Sequence, residues 1–371
     1  MPAVHTVLVV GSGLAGTATA IRLAARGVAV DLVEVKPDVA ALGSGITLQG
    51  NALRELRGLG VWESVQEKGY GFDSVGLRAP DGSLLAELPD ARTGGADLPA
   101  ALGMPRPDLA RILAERAVSA GVKVHWGYTV TAVAPEGSVT FSDGSTGRYD
   151  LVVGADGVRS AVRRLLGIDL EPQPTGMGIW RAFGPRPESV TRTEICYGGP
   201  SYIAGFCPTG KDSLYAYLVE DAQDRSGLSP EEKLATMREL AAAYHGPWDD
   251  IRATLTDPAR VNYTRFDAHL LPAPWHRGRV VLIGDAAHSC PPTLAQGGAQ
   301  ALEDAAVLTE LLLAADTLDE DLWTAFTERR HARAAEVVAA SVQLGQWLLD
   351  REQGDVPGLM ARIAALVTQP A

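Results

Sequence analysis

Cysteine is scarce in this sequence, which has only Cys196, Cys207 and Cys290 among its 371 residues. Three is an odd number, and none of these cysteines shows a CxxC or Cys/His ligand spacing. The sequence therefore indicates neither a disulfide framework nor a metal site. We expect three reduced thiols in a cytoplasmic protein.

Long apolar runs and an excess of basic residues are also missing. No apolar stretch approaches the length of about 18 residues that a membrane span needs, and no signal-peptide pattern precedes the first predicted strand. The formal net charge of −12 and the lack of basic clusters argue against a nucleic-acid partner. We expect a soluble, unexported protein with a small-molecule substrate and no nucleic-acid or membrane partner.

Glycine and apolar residues, by contrast, are abundant. The sequence has 40 glycines and 46% hydrophobic residues, which is typical of a compact α/β protein with many tight turns. A chain of 371 residues also exceeds the size at which one hydrophobic core usually stops growing. The sequence therefore predicts two domains that share an interface.

The clearest motif lies near the N-terminus, where the apolar run Val7–Val10 leads into Gly-Ser-Gly-Leu-Ala-Gly. The run predicts a buried strand, and the apolar spacing over Leu14–Arg26 predicts a helix. Between them, Gly11 permits a tight turn, Gly13 lets a pyrophosphate approach the backbone, and Gly16 allows close helix–strand packing. The alternative is a glycine-rich turn that binds no ligand.

The second predicted strand favours the dinucleotide interpretation. It covers Ala29–Val33 and ends at Glu34, about 20 residues beyond the glycine motif. An acidic side chain at this distance can accept a hydrogen bond from a ribose hydroxyl. The sequence therefore predicts a dinucleotide-binding unit.

The rest of the α/β part alternates between predicted strands and helices. A loop over Lys36–Gly50 precedes a helix over Asn51–Leu59, and Asp73–Leu88 predicts a β-hairpin with its turn at Asp81 and Gly82. The further predicted elements are a helix over Leu109–Gly121, a strand at Val122–Trp126, a three-stranded meander from Thr129, a strand at Tyr149–Gly154, a short helix at Val158–Leu166, a strand at Arg279–Ile283, and helices at Gly297–Leu313, Leu322–Leu349 and Pro357–Val367.

Between Thr175 and Phe266 the sequence becomes β-rich. We expect one helix there, over Ser229–Tyr244, with Ser229 as its N-cap and acidic residues in its first turn. We expect the earlier hairpin to join these strands in a second, antiparallel sheet that has one face toward a pocket. The predicted strands are Gly178–Phe183, Arg192–Tyr197, Ser201–Cys207 and Ser213–Val219.

Two further motifs follow predicted strands, Gly-Ala-Asp-Gly at 154–157 and Gly-Asp-Ala-Ala-His at 284–288. In the second motif Asp285 would lie at the carboxyl end of a strand, where open α/β proteins bind ligands, and its carboxylate suits hydroxyl recognition. The Pro/Gly-rich segment 289–298 then opens a helix whose free N–H groups favour negative charge. Alternatively, Asp285 only caps a helix and the segment only turns the chain.

Taken together, the three glycine motifs resemble those of the single-component FAD-dependent aromatic hydroxylases, the p-hydroxybenzoate hydroxylase-like class of flavoprotein monooxygenases. The resemblance covers essentially the whole chain. It implies an α/β fold with a Rossmann-like FAD-binding domain, a mixed antiparallel-sheet substrate domain and a helical C-terminus. The implied FAD-binding domain comprises residues 1–72, 100–174 and 275–371, and the implied substrate-binding domain comprises residues 73–99 and 175–274.

The resemblance also implies where FAD binds non-covalently. Arg106 would meet the phosphate and ribityl region unless it is a solvated arginine, and Val130 would contact adenine through its backbone. Asp156 is implicated in NAD(P)H use as well, Asp285 would bond a ribityl hydroxyl, and Pro292 would lie beside the reactive edge of the flavin. The implied FAD contacts are Gly11, Gly13, Leu14, Ala15, Gly16, Glu34, Arg106, Val130, Asp156, Gly284, Asp285, Pro292, Gly297 and Gly298.

The sequence departs from the family pattern at two places. Val35 and Lys36 follow Glu34, where the family often has an arginine. The flavin loop reads Ala295-Gln296-Gly297, where Gly-Gln-Gly is common. The Ala-Gln-Gly form resembles that of members acting on hydroxylated pyridines.

The predicted antiparallel sheet supplies candidates for the substrate pocket. Tyr197 lies roughly where the family places a tyrosine next to a phenolic substrate, and Arg181 has the charge to bind an anionic group or to assist NAD(P)H. Tyr217 alternates with Tyr215 onto one face of its strand. The candidate catalytic residues are therefore Arg181, Tyr197 and Tyr217, with packing in a core as the alternative for the tyrosines.

Two residues beside Asp285 also have chemical alternatives. We expect His288 to be a structural part of its turn rather than an acid or base. Cys290 is expected to be an inert thiol rather than a covalent tether for flavin.

The activity implied by the resemblance is hydroxylation of a phenol, hydroxypyridine or quinolone ring. FAD would be reduced by NAD(P)H and would then capture molecular oxygen as a flavin C4a-hydroperoxide. The alternatives are a reductase or oxidase of the same fold without oxygen insertion, and a non-enzymatic binding protein. The presence of Glu34, Asp156 and Asp285 argues against the last. We expect a monomer or a homodimer.

Overall fold

The computed structural model of the protein describes residues 2–39 and 45–371. The strands, in chain order, are β1 Thr6–Val10, β2 Ala29–Glu34, β3 Gly45–Gln49, β4 Tyr70–Phe72, β5 Ser74–Arg78, β6 Leu84–Pro89, β7 Ala101–Pro105, β8 Lys123–Trp126, β9 Val130–Val133, β10 Ser138–Phe141, β11 Thr146–Arg148, β12 Leu151–Gly154, β13 Gln173–Pro185, β14 Thr193–Tyr197, β15 Ile203–Pro208, β16 Ser213–Asp221, β17 Val261–Leu270, β18 His276–Arg277, β19 Val280–Leu282 and β20 His288–Ser289. The helices are α1 Leu14–Ala24, α2 Gly50–Gly58, α3 Trp62–Lys68, α4 Arg106–Ser119, α5 Ala161–Leu165, α6 Pro230–Ala241, α7 Pro247–Thr254, α8 Gly297–Ala314, α9 Glu320–Asp350 and α10 Val356–Thr368.

A six-stranded sheet brings the three glycine motifs to one edge. Its strand order is β18-β19-β12-β1-β2-β8, and all neighbours except β18 and β19 run parallel. The register pairs Val10 with both Val33 and Gly154, and Gly154 with Leu282. The segments that follow these four residues therefore lie side by side at the carboxyl edge, where open α/β proteins bind ligands.

The second large sheet has eight strands in the order β20-β17-β13-β16-β15-β14-β5-β6. The predicted hairpin, β5 and β6, joins this sheet through a parallel pairing of β5 with β14. The remaining neighbours are antiparallel, and a core containing Trp180, Phe206 and Trp248 packs on the sheet. The predicted α/β fold with a mixed antiparallel sheet is confirmed, whereas the domain limits stay a prediction.

The predicted loop over Lys36–Gly50 is wrong in its second half. Gly45–Gln49 forms strand β3, which pairs antiparallel with β7 in a small sheet of order β3-β7-β4. The sequence Gly-Ile-Thr-Leu-Gln has the apolar alternation of a strand, but the adjacent glycines suggested turns. Gly43 and Ser44 lie outside the described residues.

The β-rich part contains a second helix, α7, where one helix was predicted. Its first turn holds Pro247 together with Asp249, both favourable near a helix N-terminus. Its buried residues are Pro247, Trp248 and Ile251, of which the last two are three residues apart. With only 8 residues, α7 shows too few periods for its pattern to be recognised. The predicted N-cap of the preceding helix is confirmed, because Ser229 and Glu232 form a capping box.

The remaining helices cover the parallel sheet and the C-terminal side of the molecule. Helix α1 packs along α8, and both contribute to the main hydrophobic core. Helix α10 packs on α9 through Leu359, Ile363 and Val367, and these side chains also surround Leu294. Within the described part of the chain, no helix is both long and apolar enough to cross a membrane.

Candidate functional site

The first glycine turn is shaped by close backbone contacts. Gly11 has a positive φ of 104°, and a Cβ there would lie 2.4 Å from the carbonyl oxygen of Ala155. A Cβ on Gly16 would lie 2.0 Å from the carbonyl oxygen of Gly11. Gly13 differs, because the nearest protein atom to its Cβ would be 4.0 Å away. Packing therefore requires the glycines at 11 and 16, whereas the glycine at 13 leaves room for a ligand.

Two helix N-termini meet beside this turn. A Cβ on Gly298, in the first turn of α8, would lie 3.0 Å from Leu14, the first residue of α1. Neither Gly13 nor Gln296, the two N-cap residues, makes a side-chain cap hydrogen bond. Both helices thus direct uncapped N–H groups and the positive ends of their dipoles into the same region, which favours an anion.

Glu34 faces the glycine turn from the end of β2. Its carboxylate accepts hydrogen bonds from the backbone N–H of Ser12 (2.9 Å), the hydroxyl of Ser12 (2.8 Å) and the backbone N–H of Lys36 (3.0 Å). These contacts hold the carboxylate at the position expected for a ribose acceptor, next to Gly13.

The carboxylate of Asp156 is used within the protein. It accepts hydrogen bonds from the hydroxyl of Ser160 and from the backbone N–H groups of Ala161 (2.6 Å) and Val162 (3.0 Å), at the start of α5. Val130 is buried in β9 and pairs with Phe141 of β10. The predicted FAD contacts of Asp156 and Val130 stay predictions. If Asp156 contacts FAD, it does so with the same carboxylate that already accepts hydrogen bonds at the start of α5.

Arg106 and Asp285 lie close enough to influence each other's ionisation, and we call the space between them the cleft. Solvent reaches both side chains. The surrounding protein atoms nevertheless shift the pKa of each group. Burial lowers the pKa of Arg106, an effect that Asp285 opposes and Arg181 reinforces. Burial raises the pKa of Asp285, against the influence of His288 and Arg106. Within the described part of the chain neither side chain forms a hydrogen bond or ion pair, so each is available to a ligand.

Asp304 holds the turn that carries Asp285. Its carboxylate accepts hydrogen bonds from the N–H of Gly284 (2.8 Å), from Nε2 of His288 (2.7 Å) and from Nε of Arg330 (2.7 Å). Burial alone would raise the pKa of Asp304, but His288 and Arg330 lower it to about 2. His288 is therefore a structural part of the turn, and its ring is hydrogen-bonded to Asp304.

The loop before α8 has an unusual backbone. Ala295 adopts a left-handed conformation with φ 52°, which a non-glycine residue rarely takes. The Thr293 hydroxyl donates a hydrogen bond to the Ser341 carbonyl (2.6 Å). Gln296 and Asn51 exchange amide hydrogen bonds of 3.0 and 3.2 Å. The loop is therefore fixed on both sides of Ala295.

Cys290 follows the turn and lies beside Asp285. Burial raises the pKa of its thiol to about 11, and Ser341 opposes the shift. The sulfur is therefore protonated at neutral pH, which disfavours nucleophilic attack on a cofactor.

The candidate substrate residues gather on β13 and β16. Arg181 donates from Nε to the Tyr215 hydroxyl (3.1 Å) and from Nη1 to the Thr264 hydroxyl. The rings of Tyr215 and Tyr217 lie 5.3 Å apart. A Cβ on Gly205 would fall 2.4 Å from the Tyr217 ring, so this glycine makes room for that ring. Arg181 and Tyr217 are therefore both neighbours of Tyr215.

Tyr197 lies at the end of β14 and is 46% exposed. It is close enough to Tyr217 to raise the pKa of that phenol, for which burial is the main cause. Burial also raises the pKa of Tyr197 and of Tyr215, although Arg181 opposes the shift at Tyr215. All three phenols are therefore neutral at physiological pH and act as hydrogen-bond donors or acceptors, not as bases.

Sequence reasoning missed the residues that hold these segments in place. Asn51, Glu303 and Arg330 are fully buried and polar, and they lie far apart in the sequence. The one readable signal was the Glu303-Asp304 pair inside a mostly apolar helix, because such side chains are rarely buried unless paired.

Parallel strands that end beside two uncapped helix N-termini define the class of dinucleotide-binding α/β proteins. An unpaired guanidinium and an unpaired carboxylate in the cleft fit the phosphate and hydroxyl groups of such a cofactor. The chain belongs to the family described as FAD binding domain, whose model matches residues 5–341. Within that family it is an FAD-dependent monooxygenase of the aromatic hydroxylase class, as the resemblance implied.

Similar proteins match over nearly the whole chain. The 2-heptyl-3-hydroxy-4(1H)-quinolone synthase of Pseudomonas aeruginosa (strain UCBPP-PA14) is 32% identical over 357 residues, covering 92% of this chain and 90% of that protein. The 6-hydroxynicotinate 3-monooxygenase of Pseudomonas fluorescens is 31% identical over 360 residues, covering 93% and 92%. Among solved structures, a tetrameric form of 2-methyl-3-hydroxypyridine-5-carboxylic acid oxygenase has a TM-score of 0.81 and 27% identity, covering 97% and 96%.

Proposed function

We propose that this protein is an NAD(P)H-dependent FAD monooxygenase that hydroxylates a small aromatic or heteroaromatic ring of the phenol, hydroxypyridine or quinolone type. The observation that carries the proposal is the proximity of Arg106 to Asp285 on one side and to Arg181 and Tyr215, which are hydrogen-bonded to each other, on the other. This proximity supports a cofactor site that adjoins a substrate site. The relatives named above support a heteroaromatic ring, since their names contain quinolone, nicotinate and hydroxypyridine.

We assign the FAD site to residues at the carboxyl edge of the parallel sheet. Gly13 and the α1 N-terminus would hold the pyrophosphate, Glu34 the ribose, and Asp285 a ribityl hydroxyl. Arg106 would complement the phosphate charge, since no carboxylate neutralises it within hydrogen-bond distance in the described part of the chain. The further predicted contacts are Gly11, Leu14, Ala15, Gly16, Val130, Asp156, Gly284, Pro292, Gly297 and Gly298. When bound, FAD supplies electron transfer from NAD(P)H to oxygen and insertion of one oxygen atom.

The protein's own contribution is to orient and polarise the ring. Tyr217 and Tyr197 are neutral and can donate hydrogen bonds to an oxygen of the substrate. Arg181, anchored by Tyr215 and Thr264, places a positive charge where an anionic oxygen or carboxylate of the substrate would be stabilised. These assignments make Arg181, Tyr197 and Tyr217 the proposed catalytic residues.

The test is anaerobic reduction of the purified, FAD-loaded protein. NADH or NADPH is mixed with the protein in the presence of phenols, hydroxypyridines or quinolones, and bleaching of the flavin absorbance is followed. We expect one substrate class to accelerate bleaching and to support NAD(P)H oxidation in air. A protein that stays colourless after addition of FAD would point to a binding protein instead. Rapid bleaching that no ring compound influences would favour a reductase.

Cellular location and assembly are part of the same proposal. We propose a cytoplasmic enzyme that acts as a monomer or homodimer. The tetramer named above is a property of that oxygenase, and sedimentation of this protein would establish its own state.

A further inference from the structure

A buried charge cluster lies behind both segments of the proposed FAD site. It consists of Asn51 on α2, Glu303 and Asp304 on α8, and Arg330 and Arg333 on α9, which we call the Glu303–Arg330 cluster. Four of these residues are 0% exposed and Arg333 is 7% exposed. Burying ion pairs in this way adds little net stability compared with apolar packing. Such a cluster can instead hold neighbouring segments of the chain in position.

One branch of the cluster holds the turn that carries Asp285. Asp304 binds the N–H of Gly284 at 2.8 Å and Nε2 of His288 at 2.7 Å, so it contacts both ends of the turn. Asp304 is fully buried and does not line the cleft itself. Its effect on a ligand must pass through the turn.

The second branch holds the loop before α8. Oε1 of Glu303 accepts a hydrogen bond of 2.9 Å from Nδ2 of Asn51. The same Asn51 amide exchanges hydrogen bonds with Gln296, the N-cap residue of α8. Arg333 makes two hydrogen bonds to Glu303, of 2.8 and 2.9 Å, and keeps its carboxylate in place.

Arg330 joins the two branches. Its Nε donates to Asp304 at 2.7 Å, and its Nη1 donates to Glu303 at 3.1 Å. Its Nη2 donates to the side-chain oxygen of Gln300 at 2.8 Å. The planar guanidinium therefore fixes two carboxylates and one turn of α8 relative to each other, a geometry that the single ammonium of lysine cannot reproduce.

We propose that Arg330 is a positioning residue that sets the Gly284–His288 turn and the Pro292–Gly298 loop relative to each other, and thereby tunes FAD binding. The proposal rests on the proposed function, because it assumes that both segments contact FAD. Arg330 itself is fully buried behind them. Its influence on the cofactor is exerted through Asp304, Glu303 and Gln300.

The test compares Arg330→Lys with Arg329→Lys, a matched change at the neighbouring half-buried position, where Arg329 pairs with Glu310. FAD affinity of the apoprotein is measured by fluorescence titration, together with the visible circular dichroism of the bound flavin. We expect Arg330→Lys to weaken FAD binding by about tenfold or more and to change the dichroism, as loss of an outer-shell orienting group does elsewhere. Arg329→Lys should match the wild type in both.

Hydrogen exchange of the apoprotein provides a readout that needs no FAD. Asn51→Ala should accelerate exchange only in peptides that span residues 289–302, and Asp304→Asn chiefly in peptides that span residues 283–288. Arg330→Lys should accelerate exchange in both. If Arg330→Lys lowers the melting temperature but leaves FAD affinity, dichroism and the exchange of these two segments unchanged relative to the rest of the chain, the residue is only structural and the proposal is overturned.

The same data separate this proposal from the proposed function. A wild-type protein that does not bind FAD would contradict the proposed function. The exchange pattern of the three variants would still show whether Arg330 couples the two segments. Uniform acceleration over the whole chain in Arg330→Lys would contradict the coupling, even in a protein that binds FAD well.

Discussion

At the scale of single residues, the unpaired charges of Arg106 and Asp285 are the strongest sign of a ligand. A cation and a carboxylate that protein atoms surround usually find partners within the protein. Here each influences the pKa of the other, but within the described part of the chain neither forms a hydrogen bond or ion pair. A phosphate and a hydroxyl of FAD would supply the missing partners.

We therefore predict that Arg106→Met weakens FAD binding by about tenfold or more, because a hydrogen bond to a charged group contributes about 1.5–3 kcal/mol. Fluorescence titration of the apoprotein measures the effect. Arg111→Met is the matched control, since Arg111 lies on the same helix, is exposed and pairs with Asp108. Equal FAD affinities for the two variants would remove Arg106 from the site.

Substitutions in the first glycine motif can separate its role in packing from its role in binding FAD. We predict that Gly13→Ala keeps the melting temperature of the apoprotein but loses FAD affinity, because its Cβ would meet no protein atom closer than 4.0 Å. Gly16→Ala should destabilise the fold by about 3 kcal/mol or more, since its Cβ would lie 2.0 Å from a carbonyl oxygen. Urea unfolding and FAD titration measure the two effects. Wild-type affinity in Gly13→Ala would show that no pyrophosphate approaches there.

His269 makes stability depend on pH. Burial and the neighbouring Arg163 lower its pKa to about 4, below the ordinary value of 6.5. The unfolded chain therefore takes up a proton between pH 6.5 and 4 that the folded protein does not, so this histidine reduces stability as the pH falls through that range.

We predict that His269→Gln flattens this part of the curve of unfolding free energy against pH. The measurement is urea unfolding at a series of pH values. His5→Gln, a change at an exposed position, serves as the control and should leave the curve unchanged. A curve for His269→Gln that parallels the wild type between pH 6.5 and 4 would show that His269 is not the group responsible.

At the scale of elements, α10 supports the loop that would flank the flavin. Leu294 of that loop packs among Leu359, Ile363 and Val367. We predict that Ile363→Ala costs about 2–4 kcal/mol of unfolding free energy, as cavities in a core do, and accelerates hydrogen exchange around Leu294. Met360→Ala, at a position 44% exposed on the same helix, should cost much less. Unchanged exchange near Leu294 in Ile363→Ala would show that the helix does not brace the loop.

The elements also show what the sequence could and could not predict. Apolar runs that end in glycine motifs predicted β1, β12 and β19, because residue periodicity and the positions of glycines are local signals. Strand β3 was missed because its first residue, Gly45, belongs to a glycine-rich segment. Helix α8 was predicted, but the function of Glu303 was not, since its partners Asn51 and Arg330 come from distant parts of the chain.

The proposed substrate residues show the same limit for side chains. The sequence placed Tyr215 and Tyr217 on one face of a strand, because alternation is a property of any strand. It did not show that Arg181 meets Tyr215, since that contact depends on the register between β13 and β16, in which Arg181 lies opposite Tyr217. Contacts across strands are set by tertiary packing.

At the scale of the whole molecule, the small β3-β7-β4 sheet packs closely on the eight-stranded sheet. A Cβ on Gly45 of β3 would lie 2.5 Å from the Tyr215 side chain, and a Cβ on Gly103 of β7 would lie 2.1 Å from the carbonyl oxygen of Pro208. The small sheet that contains β3 and β7 thus packs directly on β15 and β16, which carry Pro208 and Tyr215. Since α4, with Arg106 at its start, follows β7 directly, this sheet links the proposed substrate residues to the proposed cofactor site.

The central claim is that one cleft binds FAD beside an aromatic substrate and that oxygen is inserted there. The most direct measurement is the mass of the product formed from the best ring substrate under oxygen-18 gas, with FAD and NAD(P)H present. We predict a product that carries one labelled oxygen atom, with NAD(P)H consumed in step with it. A product free of label, formed while NAD(P)H consumption stays tightly coupled to substrate conversion, would contradict hydroxylation and establish a reductase or oxidase of the same fold.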